Sequence, residues 1–204
     1  MNNKEHWEKV YGTKAQDAVS WYSPHLETSL NLIYQAATDK DSAIIDIGGG
    51  ESTLVDDLLS EGYRDISILD ISQHAIDVAR DRIGEKANKV HWYCADITQA
   101  TLPQNYFDIW HDRAVFHFLT EDSQRVGYVE QVMRSVKHGG HVIMATFGPE
   151  GPEQCSGLDV VRYDAEHLHG QFGKAFKLIN SSTETHRTPM GTTQQFLYCF
   201  CRME

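Results

Sequence analysis

The segment Ala43-Ile44-Ile45-Asp46-Ile47 runs directly into Gly48-Gly49-Gly50 and then into Leu54-Val55-x-x-Leu58-Leu59. A short, Ile-rich apolar run reads as a strand buried on both faces of a parallel sheet, whereas the spacing that follows the glycines is helical. A glycine turn therefore joins strand to helix. Such a turn tolerates positive φ and carries no Cβ atoms, so a ligand can lie against bare backbone at the helix N-terminus. The spacing Gly48-x-Gly50-x-x-Thr53 departs from the dinucleotide fingerprint at its third position, and no Gly-Lys-Ser/Thr follows that would make a Walker loop. For the glycines taken alone, a tight turn that binds nothing is the alternative.

The βα pattern repeats. Residues 66–70 form a second strand ending in Asp70, and Ser72 is placed to cap a helix carrying Ala75, Ile76, Ala79 and Ile83. Residues 90–96 read as a third strand and 106–110 as a fourth. A helix over 123–136 leads to a Lys137-His138-Gly139-Gly140 turn and a fifth strand over 141–146. Beyond Phe147 come a Gly/Pro-rich loop, a helix over 164–172 and two strand-like runs, 176–180 and 195–201, expected to close as an antiparallel hairpin. Ahead of the core stand Trp7, Tyr11, Trp21 and Tyr22 and an amphipathic helix over 24–37 with Leu26, Leu30 and Ile33 on one face. The expected fold is α/β: a Rossmann-like, doubly wound, mostly parallel seven-stranded sheet with an antiparallel C-terminal hairpin. The 204 residues fit one domain over 1–204, with 1–37 as an N-terminal lid and helix segment.

Strand alternation of this kind puts ligands at the carboxyl ends of the strands, where Asp46, Asp70 and Asp96 all fall. Asp70 follows Asp46 at close to the ~20-residue spacing at which nucleotide folds place an acid for the ribose hydroxyls, and an acid there disfavours a 2′-phosphate. Each Asp has the alternative role of capping the following helix.

These residues together resemble the class I S-adenosylmethionine-dependent methyltransferases over nearly the full chain. The resemblance rests on Asp46-Ile47-Gly48-Gly49-Gly50, Leu69-Asp70, Ala95-Asp96-Ile97, Phe107-Asp108-Ile109-Trp110 and Lys137-His138-Gly139-Gly140. The start, His6-Trp7-x-x-x-Tyr11-Gly12, is similar to that of a group of small bacterial methyltransferases with no settled substrate. The resemblance implies S-adenosyl-L-methionine as cofactor. It gives Gly48 and Gly50 the methionine and ribose, Asp70 the ribose diol, Asp96 the adenine amine, and Ile97 and Ile71 the two adenine faces. Asp46, Gly49, Ser52, Thr53 and His111 complete the expected loop side of the cofactor site, and Trp7, Tyr11 and Trp21 its lid. The family's third glycine is replaced by Ser52, and Glu51 adds a negative charge.

Methyl transfer from a sulfonium needs alignment, exclusion of water and, for a protonated acceptor, a base. His111, Asp112 and His117 are the base candidates, with solvated or core-packed histidines as the alternative. Arg113, Arg162 and Tyr163 are candidates for contacting the acceptor; a structural ion pair is the alternative for Arg113. The acceptor itself is expected to be a small molecule or a protein side chain. The net charge of −11 and the lack of a basic cluster argue against nucleic acid. No apolar run reaches membrane length, the start lacks the order of a signal peptide, and the cysteines form no Cys-x-x-Cys, so a cytoplasmic protein with free thiols is expected. The scattered histidines offer no metal site, and the oligomeric state is not legible. An NAD-linked oxidoreductase and a non-catalytic cofactor-binding or scaffold protein are the competing readings.

Overall fold

A computed structural model describes residues 3–204; Met1 and Asn2, where the start was read for a leader, lie outside the described residues. In chain order, α1 (Asn3–Thr13) and α2 (Glu27–Ala36) precede β1 (Ile44–Ile47), α3 (Leu54–Ser60), β2 (Ile66–Asp70), α4 (Gln73–Ile83), β3 (Val90–Cys94), β4 (Phe107–Arg113), α5 (Asp122–Ser135) and β5 (Val136–Phe147). A small hairpin, β6 (Gln154–Cys155) with β7 (Leu158–Asp159), and then α6 (Ala165–Phe172) lead to β8 (Phe176–Arg187) and β9 (Thr193–Met203). The main sheet has the order β3-β2-β1-β4-β5-β9-β8. Its first five strands are parallel, and β9 runs antiparallel to both β5 and β8.

Both faces are covered by apolar layers. Ile33 of α2 and Leu54 and Leu58 of α3 pack on one side with Ile44, Phe147 and Phe196, while Tyr128 and Val132 of α5 and Leu168 and Phe172 of α6 pack on the other with Trp110 and Val142. Doubly covered strands have no solvent side, which is why β1 and β2 are buried at every position. The chain leaves β1 toward β2 and β3, then crosses back to β4. Strand order therefore reverses between β1 and β4, and a crevice opens at their carboxyl ends.

Three boundaries differ from the sequence reading. β4 continues through His111, Asp112 and Arg113, because these polar side chains are paired inside the fold instead of facing water. The Lys137–Gly140 stretch is not a turn before β5 but a bulge within it, where pairing jumps from Phe107↔Val136 to Ile109↔His141. Lys137 Nζ holds the Asp108 carboxylate at 2.8 and 2.9 Å, which fixes the bulge against β4. The closing hairpin pairs from Phe176↔Met203 to Arg187↔Thr193, far longer than expected, since the run Ser181–Thr185 is polar and edge-exposed yet fully paired on one side.

Candidate active site

Two adjoining cavities lie at the crevice. The first, about 850 Å³ and open to solvent, has Asp70, Ile71, Asp96 and Ile97 along one wall and Trp7, Trp21 and Phe118 along another. The second, about 510 Å³, lies under residues 16–26 and is lined by Asp46, Glu51, Ser52, Thr53 and His111 among others. Tyr11, Trp21, Ile47, Gly48 and Arg113 belong to both.

The glycine turn is built by close approach. Gly48 has φ +71°, and a Cβ there would lie 2.2 Å from Val115 Cγ2. A Cβ on Gly49 would meet Asp46 Oδ2 at 2.4 Å, and one on Gly50 would meet Asp70 Oδ2 at 2.7 Å. Only Gly48 lines a cavity; Gly49 and Gly50 are bare so that the two acids can pack against the loop. The loop's carbonyls are held from outside, Glu51 O and Ser52 O by the Arg82 guanidinium (3.2 and 2.7 Å) and Glu51 O also by Gln16 Nε2 (2.6 Å). Thr53 Oγ1 donates to Ser23 O at 2.9 Å, tying the segment above to the loop below.

The carboxylates differ in their surroundings. Asp70 accepts from Ser72 N (2.8 Å) and Gly50 N (3.1 Å); burial still pushes its carboxyl up to about 6 against those two bonds. Asp96 accepts from the backbone N–H and hydroxyl of Thr98, and Ile71 and Ile97 flank it in the same wall. Asp46 Oδ1 lies 2.7 Å from His111 Nδ1, whose Nε2 lies 2.8 Å from Ser29 Oγ. Ser29 continues to the Tyr198 hydroxyl at 3.4 Å, which accepts from Arg113 Nε at 3.2 Å. This buried chain joins β1, β4, α2 and β9 behind the cleft. Glu51 is unlike the rest: it is 6% exposed, its Oε2 has no hydrogen-bond partner, and burial pushes its carboxyl up to about 7, opposed by Arg82 and reinforced by Asp70.

An aromatic cluster roofs the first cavity. The Trp7 ring lies 5.0 Å from Phe118, 5.8 Å from Tyr11 and 5.9 Å from Trp21. Glu8, on the same helix, docks α1 onto the start of α4: its carboxylate accepts from Ser72 Oγ (2.9 Å), Gln73 N (2.8 Å) and His74 N (3.2 Å). Burial raises the Glu8 carboxyl, but these bonds outweigh it and hold it below its ordinary value.

Of the expected cofactor residues, all but Gly49 and Gly50 line the cavities. The base and acceptor candidates divide. His111 reaches the second cavity with both ring nitrogens engaged, and Arg113 reaches both cavities. Asp112 and His117 lie beneath the walls. Asp112 accepts from Val115 N, Phe116 N and Tyr128 OH (2.9, 3.1 and 2.6 Å), which closes the turn after β4, and burial pushes its carboxyl up to about 7. His117 Nδ1 accepts from Phe147 N at 3.2 Å, and burial, helped by Arg113, pushes the ring down to about 3, so it is neutral. Arg162 is turned to Pro149 O, Gly151 O and Glu153, bracing the loop, and Tyr163 is packed on Phe116. Glu8, Ser29, Arg82 and Tyr198 carry no local sequence signal for their places around the site; Glu51 did, as the loop's extra charge.

The site's lining suits a cationic nucleoside: Ile71 and Ile97 add apolar surface, Asp70 stands at the end of β2, and two buried carboxylate oxygens, on Asp46 and Glu51, have no hydrogen-bond partner. With β9 antiparallel beside β5, the sheet also lacks the second mononucleotide half of an NAD fold. The chain has the fold of the class I S-adenosylmethionine-dependent methyltransferases and is similar to methyltransferases in sequence, a similarity that indicates S-adenosyl-L-methionine as the cofactor. The family model described as a methyltransferase domain matches residues 44–140. The eEF1A lysine and N-terminal methyltransferase of Mus musculus is 27% identical over 143 residues, covering 70% of this chain and 20% of the relative. The chain thus spans about a fifth of the length of that curated relative. A solved structure described for the conversion of a disulfide bond into a thioacetal group during echinomycin biosynthesis superposes with a TM-score of 0.79 at 19% identity, covering 100% of this chain and 93% of the other. The N-methyltransferase NodS from Bradyrhizobium japonicum, solved with S-adenosyl-L-homocysteine, gives a TM-score of 0.71 at 13% identity and 99% coverage of both chains.

Proposed function

We propose that this protein, as one domain over 1–204 with 1–37 as its lid, transfers a methyl group to a small molecule or a protein side chain in the cytoplasm, a primary amine being the favoured acceptor. The observation that carries this reading is the cleft itself: aromatic faces and buried carboxylates, against which Arg113 is the one arginine and no lysine is present in either wall. Such a lining attracts cations. The mouse relative's name, a lysine and N-terminal methyltransferase, points to the same acceptor class. Four free cysteines suit a reducing compartment, and among the described residues no helix is long and apolar enough to cross a membrane.

In this reading Asp70 receives the ribose hydroxyls and Asp96 the adenine amine, with Ile71 and Ile97 against the ring. Gly48 offers bare backbone, while Asp46, Ser52, Thr53 and His111 surround the amino-acid tail. Trp7, Tyr11 and Trp21 exclude water, and Arg113 orients the tail or the acceptor. When bound, the cofactor supplies an electrophilic methyl on a sulfonium. With His111 held from both sides and Asp112 and His117 engaged below the walls, the protein contributes mainly alignment and a dry site. Incubation with methyl-labelled cofactor and a panel of amine, thiol and carboxylate acceptors tests this. Label on amines is expected. Transfer confined to thiols or carboxylates overturns the amine assignment, and transfer to nothing in a whole-cell extract leaves a cofactor-binding protein.

A further inference from the structure

The first cavity keeps its carboxylates and its aromatic rings apart. Asp70 and Asp96 stand in one wall, where the reading above gives them to the nucleoside. Four rings make up another part of the lining, and neighbouring rings stand nearly perpendicular, as the sides of a box do. Trp7 meets Trp21 at 5.9 Å and 79° and Phe118 at 5.0 Å and 76°, and Tyr11 meets Trp21 at 6.3 Å and 86°. They come from three places in the chain: α1, the segment between α1 and α2, and the turn after β4. A cation over the face of Trp, Tyr or Phe is attracted by the ring's quadrupole, most strongly where water is excluded.

This box is poor in hydrogen-bond acceptors. An indole N–H only donates and a phenyl ring does neither, so Tyr11 is the one ring of the four that can accept. The backbone carbonyls of the segment carrying Trp21 are taken: Trp21 O accepts from Arg113 Nη1 at 3.0 Å and Ser20 O from His186 Nε2 at 2.9 Å. Cys155 of the same cavity is a neutral thiol, burial pushing it up to about 11. Arg113, the cation of the wall, has its charge met by Glu184 Oε1 at 3.6 Å and by the Phe196 ring at 4.1 Å. A primary ammonium brings three donors and would leave them without partners here, which is costly away from water. Each methyl that replaces a hydrogen removes one donor and adds apolar surface, and the charge stays.

From this we infer that the ring box is a subsite for a methylated ammonium, and that the enzyme carries its acceptor through to the quaternary ammonium. The inference rests on the amine reading above and narrows it: a primary amine starts the series, and each round fits the box better. In the last step the lone pair of a neutral tertiary amine forms the N–C bond. The C–S bond breaks with its electron pair staying on sulfur, so positive charge passes from sulfonium to ammonium and no proton moves. That step asks for no base, which agrees with His111, Asp112 and His117 all being engaged in hydrogen bonds of the fold.

Calorimetry on the full chain at about pH 7 and constant ionic strength, with S-adenosylhomocysteine saturating the nucleoside site, compares three probes. These are choline, its neutral isostere 3,3-dimethylbutan-1-ol, and ethanolamine, which is charged but unmethylated. Choline is expected to bind about tenfold or more tighter than either, with a change in tryptophan emission. Trp21→Leu and Phe118→Leu should abolish that preference, and Trp21→Phe should retain most of it. Parity of choline with its isostere means the rings exert no pull on charge, and ethanolamine matching choline points to a carboxylate; either outcome overturns the subsite. Both comparisons are made within the wild-type protein, so they decide even where a variant fails to fold. Turnover separates the subsite from the amine reading. A kcat/KM for N,N-dimethylethanolamine about tenfold above that for ethanolamine, lost in Trp21→Leu, supports both. A choline preference without transfer to any amine refutes the amine reading and leaves the subsite standing, whereas amine transfer that stops after one methyl overturns the inference and leaves the amine reading intact.

Discussion

Single side chains around the cleft fall into those that face ligand and those that hold the wall. Asp70 lines the first cavity, and its removal tests the proposed ribose role: in that reading Asp70→Ala should weaken S-adenosylmethionine by about tenfold or more in calorimetry, since two hydroxyls would lose a charged acceptor. Tyr128 is of the second kind. It donates to Asp112 at 2.6 Å and accepts from Trp110 at 2.9 Å in a fully buried site. Tyr128→Phe leaves Trp110 Nε1 without a partner and takes one of the three hydrogen bonds from the Asp112 carboxylate; it is expected to cost about 1–3 kcal/mol, a melting temperature lowered by roughly 2–4 °C per kcal/mol, with cofactor affinity unchanged. Glu51 carries a pH signature in the ligand-free protein. Its folded-state carboxyl is raised to about 7 from 4.5, so the native state holds the extra proton and loses stability as pH rises between those values. Melting curves of Glu51→Gln and wild type should therefore coincide near pH 4 and separate by pH 8, with the variant the more stable. At this scale the sequence revealed the acids Asp46, Asp70 and Asp96, because strand ends and glycine turns are local patterns. It could not sort His111 from Asp112 and His117, since all three fall in one short stretch and only tertiary packing decides which side of the sheet edge each faces.

Elements set what those residues can reach. Helix α1 has little amphipathic pattern of its own, and it is fixed to the body through the Glu8 carboxylate on the N-terminus of α4 and through ring contacts of Trp7. Anions at a helix start are stabilising, so this contact is electrostatically favoured as well as hydrogen-bonded. Glu8→Ala is expected to loosen the roof, weakening cofactor binding several-fold and shifting the tryptophan emission to the red as Trp7 meets water. Because the Glu8 carboxyl is held below its ordinary value, wild-type docking should persist through mildly acidic pH and be lost only as pH falls below the usual glutamate range. The βα units were readable from Ile-rich runs and helical spacing. The extent of β4, β5, β8 and β9 was not: His111 to Arg113 and Ser181 to Arg187 have polar sequences whose strand state comes from long-range pairing. The bulge in β5 was read as a turn for the same reason, glycines marking a kink without saying whether pairing resumes beyond it.

At the scale of the whole molecule, an open sheet with one antiparallel insertion places every ligand-facing group on one edge, and a ligand bound there draws on both apolar layers. Saturation with S-adenosylmethionine at about 100 times its dissociation constant should add about 2.7 kcal/mol, raising the melting temperature by roughly 5–11 °C in a thermal-shift assay; NAD should add nothing. That overall plan was legible because alternation of strand and helix has few solutions. What no local pattern could disclose was the buried chain from Asp46 through His111 and Ser29 to Tyr198 and Arg113, whose Ser29–Tyr198 step joins residues 169 apart in sequence. That separation has a consequence for biogenesis. During synthesis the floor beneath the glycine turn stays incomplete until Tyr198 has been made, so a nascent chain carries its nucleoside slot long before the anchor that steadies it, and the slow, long-range closure comes last.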